Sequence, residues 1–312
     1  MLACAALLVA CGGSSGSSGG SGGSGIPGGS GDPNSGESTT SGPAYSVPGS
    51  VALVAFNEGA AQTGNECAID TSQLAQGVVG ASARNDARLK FQVVKGEMSY
   101  NYDLPGDGTP IIVPINMGDG PYTFRVMQNT SGNNYVELFS VIDNVNLSSE
   151  TAPFLVPNMF VNYNESSAVV AKARELAQGA ANQGDVVRNI YQWVVDNITY
   201  DHDKAAQLAS ATGYVPDPDA TLASGTGICF DYASLGAAML RSLGIPCQVI
   251  TGYVSPDDVY HAWNMVYIDG EWISVEISIK PNSWTRVDLT FAASGAASTI
   301  GDGTSYTDRY TY

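Results

Sequence analysis

The chain is poor in cysteine, histidine and basic residues, and these shortages limit the classes of fold and of partner that it can have. Five cysteines among 312 residues are too few for a disulfide framework in the folded part. The paired aspartates do not have the spacing of an EF-hand loop, so we expect no metal and no cofactor. Lys and Arg number 13 against 30 Asp and Glu, a net charge of -17. This negative field repels a phosphate backbone, and we therefore expect no nucleic-acid partner.

The N-terminal apolar run is too short to span a bilayer. Residues 1–11, MLACAALLVAC, instead resemble the lipobox of a bacterial lipoprotein signal, in which Cys11 would be lipidated. The alternative is an apolar tail with a chance cysteine. Residues 12–44 are rich in Gly and Ser and predict a flexible tether. Together the two segments predict a protein held by a lipid anchor at the extracytoplasmic surface of a cell membrane.

Residues 45–150 show short strand patterns separated by Gly, Asp and Asn turns. The patterns are RLKFQVV at 88–94, MSYNYDL at 98–104, IIVPI at 111–115, YTFRVM at 122–127 and YVELFSVIDNVNL at 135–147. This spacing predicts a small antiparallel β-sandwich. The first histidine of the chain is His202, so we expect this domain to be a spacer or a recognition module.

The hydrophobic periodicity becomes helical near residue 166, and residues 151–312 are predicted to form an α+β domain. One apolar stripe is Val186, Ile190, Val194 and Ile198. Asp185 is the candidate N-cap of that helix, and a polar loop is expected to follow it from Asp201 to Gly227. A second helix should begin at Cys229 and end at Gly244.

Cys229 stands where the Gly-rich run GTGI gives way to the second helix. Unpaired N–H groups and the positive end of the helix dipole favour a thiolate at such a position, and they can lower a cysteine pKa from about 8.5 to about 3.5–7.5. Cys247 opens an apolar strand and is expected to be a buried small residue. A pairing of Cys67 with Cys247 is also open. Cys229 is therefore the candidate nucleophile.

A thiol nucleophile needs a base, and the base needs an acceptor that orients it. His261 opens the strand-like run HAWNMVYI, and further strands that carry an acid follow it. A helix with Cys, a strand with His and a strand with an acid is the order found in papain-like thiol enzymes. His202 lies between Asp201 and Asp203 and is expected to be a solvated loop residue.

These segments resemble the transglutaminase-like superfamily, on the motifs GTGICFDYASLGAAMLRSLGIPCQVITGY, YHAWNMVYIDGEW and SWTRVDLTFAAS. The resemblance covers roughly residues 155–312. It implies a papain-like fold in which a helix bearing the Cys packs on an antiparallel sheet, with Cys229 as nucleophile and His261 as general base and acid. Trp263 and Tyr232 flank this pair, and each would contact substrate or belong to the core.

Two carboxylates are candidates for the third member of a triad. Asp288 matches the family motif W-x-x-x-D-x-T, with Leu where Pro is usual. Glu276 has the same spacing from Trp272, and it would lie diagonally from His261 if residues 269–270 closed a tight hairpin. We favour Asp288 and keep Glu276 as the alternative.

The chemistry expected from this resemblance is thiol acyl transfer on peptide or carboxamide bonds of a peptide, a protein or a cell-wall peptide. Water as acceptor gives a peptidase or a deamidase, and a lysine amine gives a cross-linking transglutaminase. We favour hydrolysis at the cell surface. The alternative is a non-catalytic envelope scaffold or binding lipoprotein with a degenerate domain, and the presence of the Cys, the His and the acid argues against it.

Overall fold

The computed structural model describes residues 43–209, 211–254, 259–268, 272–273, 278–279, 284–287 and 306–312. The predicted signal at residues 1–11, with Cys11, and nearly all of the tether lie outside this part of the chain. Within it, none of the helices is long and apolar enough to cross a membrane.

The first unit is a sandwich of two four-stranded sheets, with strand orders β1-β2-β3-β6 and β5-β4-β7-β8. All neighbouring strands are antiparallel. The strands are β1 Gln62–Gly64, β2 Cys67–Asp70, β3 Val78–Ala83, β4 Leu89–Lys95, β5 Met98–Leu104, β6 Ile111–Pro114, β7 Gly120–Ser131 and β8 Asn134–Val145. Short 3-10 helices occupy Leu74–Gln76 and Ala152–Phe154. The antiparallel sandwich predicted from the strand spacing is confirmed.

Alternation of side chains explains why β4 to β8 were visible in the sequence, whereas the sequence analysis gave no strand pattern for β1, β2 and β3. On β4, Leu89, Phe91 and Val93 are buried while the residues between them are partly exposed. Phe91 stacks on Phe124 of β7, with ring centroids 6.5 Å apart. Both sheets contribute to one core, so the sandwich is closed by apolar packing between its two inner faces.

In the second unit, as far as the structure describes it, five helices pack against an antiparallel sheet, which confirms the predicted α+β class. The helices are α1 Ala168–Leu176, α2 Gln183–Asn197, α3 His202–Leu208, α4 Pro218–Ser224 and α5 Cys229–Ser242. The sheet has the order β15-β12-β11-β16. Its strands are β11 Cys247–Val254, β12 Val259–Tyr267, β15 Trp284–Val287 and β16 Tyr306–Thr311. Two short pairs are β9 Thr199–Tyr200 with β10 Thr226–Gly227, and β13 Trp272–Ile273 with β14 Ser278–Ile279.

Helix starts differ from the sequence-based prediction in two places. The N-cap of α2 is Asn182, whose side chain accepts from the Asp185 N–H at 2.9 Å, so the assignment of Asp185 as N-cap was wrong. The predicted polar loop contains α3 and α4. Asp201 caps α3, and its side chain accepts from the Lys204 N–H at 2.8 Å. Asp217 caps α4 in the same way and accepts from the Ala220 N–H at 3.1 Å. Helices of seven residues have too few turns to show a periodic stripe.

Candidate active site

Burial distinguishes Cys229 from the other described cysteines. Cys67, Cys229 and Cys247 are all free thiols, so the pairing of Cys67 with Cys247 is not formed. Cys67 is 3% exposed and Cys247 0% exposed, and burial raises the pKa of both thiols, that of Cys247 to about 12. Cys229 is half-buried. Of these three thiols it is the one that a reagent in solution can reach, and the core position expected for Cys247 is confirmed.

Cys229 is the first residue of α5, as the sequence predicted. Ile228 is the N-cap in extended conformation, with φ -93° and ψ 175°, and its carbonyl accepts the first helical hydrogen bond from the Tyr232 N–H at 3.0 Å. The unpaired N–H groups of the first turn and the positive end of the helix dipole therefore lie at the Cys229 backbone.

The helix α5 lies along β12, and two buried contacts give its direction. The Asn264 amide donates to the Ala233 carbonyl at 2.9 Å and to the Gln248 carbonyl at 3.0 Å. Further along the helix, Arg241 Nε donates to the carbonyl of Cys247 at 2.8 Å, and Cys247 pairs with Val266 of β12. The helix thus advances in the same sense as β12.

His261 occupies the same end of this contact as Cys229. Cys229 is four residues before Ala233, about 6 Å at 1.5 Å per helical residue. His261 is three residues before Asn264, about 10 Å along a strand. His261 is 7% exposed, and its partner in β11 is Gly252, which has no side chain to crowd the imidazole. The alternation of a regular strand puts His261 on the face of β12 opposite to Asn264.

Of the remaining candidate residues, Tyr232 and Trp263 lie in the core and His202 lies at the surface. Tyr232 is 0% exposed and donates its hydroxyl to the Ile198 carbonyl at 2.7 Å, and burial raises its pKa to about 12. Trp263 is 1% exposed and packs against Ile250. Both side chains thus occupy the core position that the sequence also allowed. His202 is exposed, at the start of α3 rather than in the expected loop.

Asp288 and Glu276 lie outside the described residues, but their backbone neighbours are described. β12 pairs with β15, with Asn264 opposite Val287, the residue before Asp288. β13 and β14, on either side of Glu276, pair with each other in a separate sheet. The tight hairpin considered for Glu276 would require β13 to pair with β12. In the structure β12 pairs with β15 instead.

Sequence reasoning missed a group of polar residues around the first turn of α5. Burial raises the pKa of Tyr200, and its electrostatic interactions with the neighbouring Cys229, Tyr232 and Asp231 raise it further. Tyr200 also contacts His202, with ring centroids 5.0 Å apart. These residues lie in the segments NITYDHDKA and CFDYAS, but nothing in either segment shows that they meet. No cluster of three metal-ligating side chains occurs in the described part of the chain.

Residues 170–277 match the model of the transglutaminase-like superfamily. This part of the chain is therefore similar to that superfamily. The match spans α2, α5 and β12 and includes Cys229, His261 and Glu276, and it ends before Asp288. The superfamily is one of thiol enzymes, so the match supports the resemblance seen in the sequence.

Curated relatives share parts of this chain. A UPF0252 protein of Methanocaldococcus jannaschii is 24% identical over 204 residues, which are 62% of this chain and 55% of that protein. Kyphoscoliosis peptidase of Mus musculus is 31% identical over 112 residues, 33% of this chain and 16% of the peptidase. Cytokinesis protein 3 of Schizosaccharomyces pombe is 33% identical over 120 residues, 34% of this chain and 12% of that protein. The chain therefore spans about half of the archaeal relative and a small part of the other two.

Several solved structures have a distant similarity to the fold. Red sea bream transglutaminase aligns with 68% of this chain and 48% of its own, at 14% identity and a TM-score of 0.29. LapG of Legionella pneumophila aligns with 46% of this chain and 83% of its own, at 14% identity and a TM-score of 0.30. Scores at this level carry no argument about activity.

Proposed function

We propose that this protein is a cysteine-dependent acyl-transfer enzyme, with Cys229 as nucleophile, His261 as general base and acid, and Asp288 as the residue that orients the imidazole. One observation carries the proposal. Cys229 is the accessible thiol among the described cysteines, and it begins a helix that lies along the strand of His261. The transglutaminase-like match over both residues supports it.

The proposed reaction has two halves. His261 removes the proton from Cys229 Sγ, and the thiolate attacks the carbonyl carbon of a peptide or carboxamide bond. The C–N bond then breaks, the imidazolium gives its proton to the leaving amine or ammonia, and a thioester remains. Water or an amine then attacks the thioester and releases the thiol. The Cys229 N–H at the helix start would donate to the oxyanion in both halves.

The geometry sets one requirement for this pair. Strand alternation would put the imidazole on the face of β12 opposite to Asn264, so the proposal requires the thiol and the imidazole to meet at the end of the α5–β12 contact and not across its middle. Gly252 opposite His261 leaves room for the ring there.

We propose further that the enzyme acts at the extracytoplasmic surface of a cell membrane. The support is the lipobox-like segment that ends at Cys11 and the Gly/Ser-rich tether after it. A flexible tether of about 30 residues has an average reach of roughly 30 Å. Peptide, protein or cell-wall peptide substrates with water as acceptor fit that setting.

Alkylation of the thiol tests the nucleophile and its base. Iodoacetamide should label Cys229 near neutral pH much faster than an ordinary exposed thiol, and Cys229→Ser should abolish both this label and the activity. Cys247→Ser is the matched control and should retain both, since that thiol is buried. His261→Asn should lower the labelling rate and the activity, whereas His202→Asn, at an exposed position, should not. A rate for Cys229 equal to that of an ordinary thiol would refute the proposal and favour the scaffold alternative.

A second experiment assigns the acid and the acceptor. Asp288→Asn should lower the activity on a peptide substrate by several orders of magnitude, and Glu276→Gln should change it little. The reverse result would make Glu276 the third member. Mass spectrometry of a glutamine-containing peptide with and without a lysine amine distinguishes cleavage, loss of ammonia and an isopeptide product.

A further inference from the structure

The first turn of α5 contains a buried carboxylate that the proposed reaction does not use. Asp231, two residues after Cys229, is 0% exposed. Its oxygens accept from the Ile228 backbone N–H at 2.8 Å, from Lys204 Nζ at 2.7 Å and from the Tyr214 hydroxyl. A buried carboxylate is strongly destabilised by the loss of its hydration unless donors of this kind replace the water. Asp231 is therefore held by its partners in one position.

The donors come from separate parts of the chain. Lys204 lies on α3, Tyr214 lies between α3 and α4, and Ile228 is the N-cap of α5. Lys204 Nζ also lies 4.8 Å from the centre of the Tyr214 ring. Lys204, Tyr214 and Asp231 thus contact one another, and we call them the positioning cluster. They tie the start of α5 to two neighbouring segments.

The backbone that leads into Cys229 fits closely around this cluster. A Cβ on Gly227 would lie 2.7 Å from the Asp231 Cβ, so this residue must be glycine for the carboxylate to sit here. The Gly227 carbonyl accepts from the Asp201 N–H at 2.9 Å, and Asp201 is the N-cap of α3. The position of Cys229 is therefore coupled to that of α3.

The charges of the cluster bear on the thiol. A carboxylate two residues from Cys229 opposes formation of a thiolate, and a cation beside it offsets that effect. Burial lowers the pKa of Lys204, but its hydrogen bonds to Asp231 and Tyr214 raise it by more, so the ammonium stays charged at neutral pH. After burial, the Asp231 carboxylate is one of the groups that raise the pKa of Tyr200, so its charge acts on the side chains around the start of α5.

We propose that Lys204, Tyr214 and Asp231 position the Cys229 thiol and balance its electrostatic surroundings, so that the thiolate forms at lower pH than it would beside the carboxylate alone. The inference depends on the proposed function, because it assumes that Cys229 is the nucleophile. Its readout, alkylation of the thiol, needs no substrate.

The test compares pH profiles of Cys229 alkylation by iodoacetamide in folded variants of the full chain. Lys204→Met should move the midpoint of the profile to higher pH and lower the rate at neutral pH about three- to tenfold, because the carboxylate is left without its cation. Lys204→Arg keeps the charge and should restore most of the rate. Lys172→Met, which removes a lysine paired with Glu175 on α1, is the matched control and should leave the profile unchanged.

A double variant separates charge balance from folding. Lys204→Met combined with Asp231→Asn removes both charges and should return the midpoint towards the wild-type value. If the cluster had only a structural role, the double variant would not recover the midpoint. Tyr214→Phe keeps both charges and should cause a smaller shift. Circular dichroism verifies that each variant is folded. If folded Lys204→Met has the same pH profile as the wild-type protein, this inference is overturned. If Cys229 of the wild-type protein reacts with the profile of an ordinary thiol, the proposed function itself is overturned.

Discussion

At the scale of single residues, one buried amide aligns the helix of Cys229 with the strand of His261. Asn264 is 2% exposed, and its Nδ2 donates to carbonyls of α5 and β11. Asn264→Asp replaces this donor by an oxygen that faces two carbonyl oxygens. We expect a loss of about 2–4 kcal/mol in the free energy of unfolding, measured with urea, because buried acceptors lose their donor and a buried carboxylate is repelled. The same exchange at the exposed Asn162 should cost less than about 0.5 kcal/mol.

Gly227 provides a second test at this scale. Gly227→Ala would force its methyl group against Asp231, and we expect about 1–3 kcal/mol of destabilisation together with slower alkylation of Cys229. Gly49→Ala is the control, because a methyl group there meets no atom within 4 Å. Equal stability of the two variants would contradict the close packing at the start of α5.

The sequence predicted residues with a local signature and missed those defined by distant contacts. Cys229 is recognisable because a Gly-rich run, a cysteine and a helical stripe follow one another within one segment. Asp231 carries no such signal, since its partners Lys204 and Tyr214 are 27 and 17 residues away in the chain. Its burial depends on how α3 packs, which a local pattern does not contain.

At the scale of elements, Arg241 at the end of α5 holds four segments together. It is 1% exposed and donates to the carbonyls of Cys247, Val156 and Tyr312 at 2.8, 3.0 and 2.8 Å. Burial lowers the pKa of this guanidinium, but arginine stays charged in proteins. One planar side chain thus satisfies carbonyls of β11, of the linker between the units and of the chain after β16.

Replacing Arg241 by Met should destabilise the protein by about 3 kcal/mol, because three buried carbonyls lose their donor at about 1 kcal/mol each. Lys should recover only part of this loss, since a single ammonium lacks the planar fork. Urea unfolding measures the effect. Arg174→Met on α1, where the arginine is partly exposed and paired with Glu165, should change the free energy of unfolding by less than about 1 kcal/mol. A similar small change for Arg241→Met would contradict the bridging role.

Element length decided what the sequence could predict. The stripes of α2 and α5, 15 and 14 residues long, were visible, whereas α3 and α4, of seven residues each, were not. The order of the strands in the sheet could be predicted even less than the short helices. β16 is far from β11 in the sequence and pairs with it along five positions, which period-2 alternation within a segment does not specify.

At the scale of the whole molecule, aromatic side chains join the sandwich to the second unit. Tyr102 of β5 lies 6.0 Å from Phe160, and Phe160 lies 4.6 Å from Tyr312. Tyr100 contacts Tyr312 at 6.1 Å, and its hydroxyl accepts from the Thr311 N–H at 3.4 Å. The sequence predicts two domains, and because they share this aromatic packing we expect the two units to unfold together.

Burial of tyrosine side chains, at this interface and elsewhere in the two units, predicts a loss of stability at alkaline pH. Burial raises the pKa of Tyr45 and Tyr122 to about 12, and that of Tyr102 well above its usual value. A phenol is neutral when protonated, and the folded chain keeps these protons to higher pH than the unfolded chain does. The stabilisation is therefore complete below the unfolded pKa of about 10 and is lost as the pH rises through about 12.

The measurement follows tyrosinate absorbance and circular dichroism together as the pH is raised. We expect the buried tyrosines to ionise late and in the same transition that removes the secondary structure, because a phenolate requires water to reach a side chain that folding buries. Tyr102→Phe should move this transition to higher pH, since one buried group that ionises on unfolding is gone. Tyr253→Phe, at a side chain that is 37% exposed, should leave it in place. Ionisation of all tyrosines near pH 10 in a chain that stays folded would show that water reaches the interface, and the two units would then be independent.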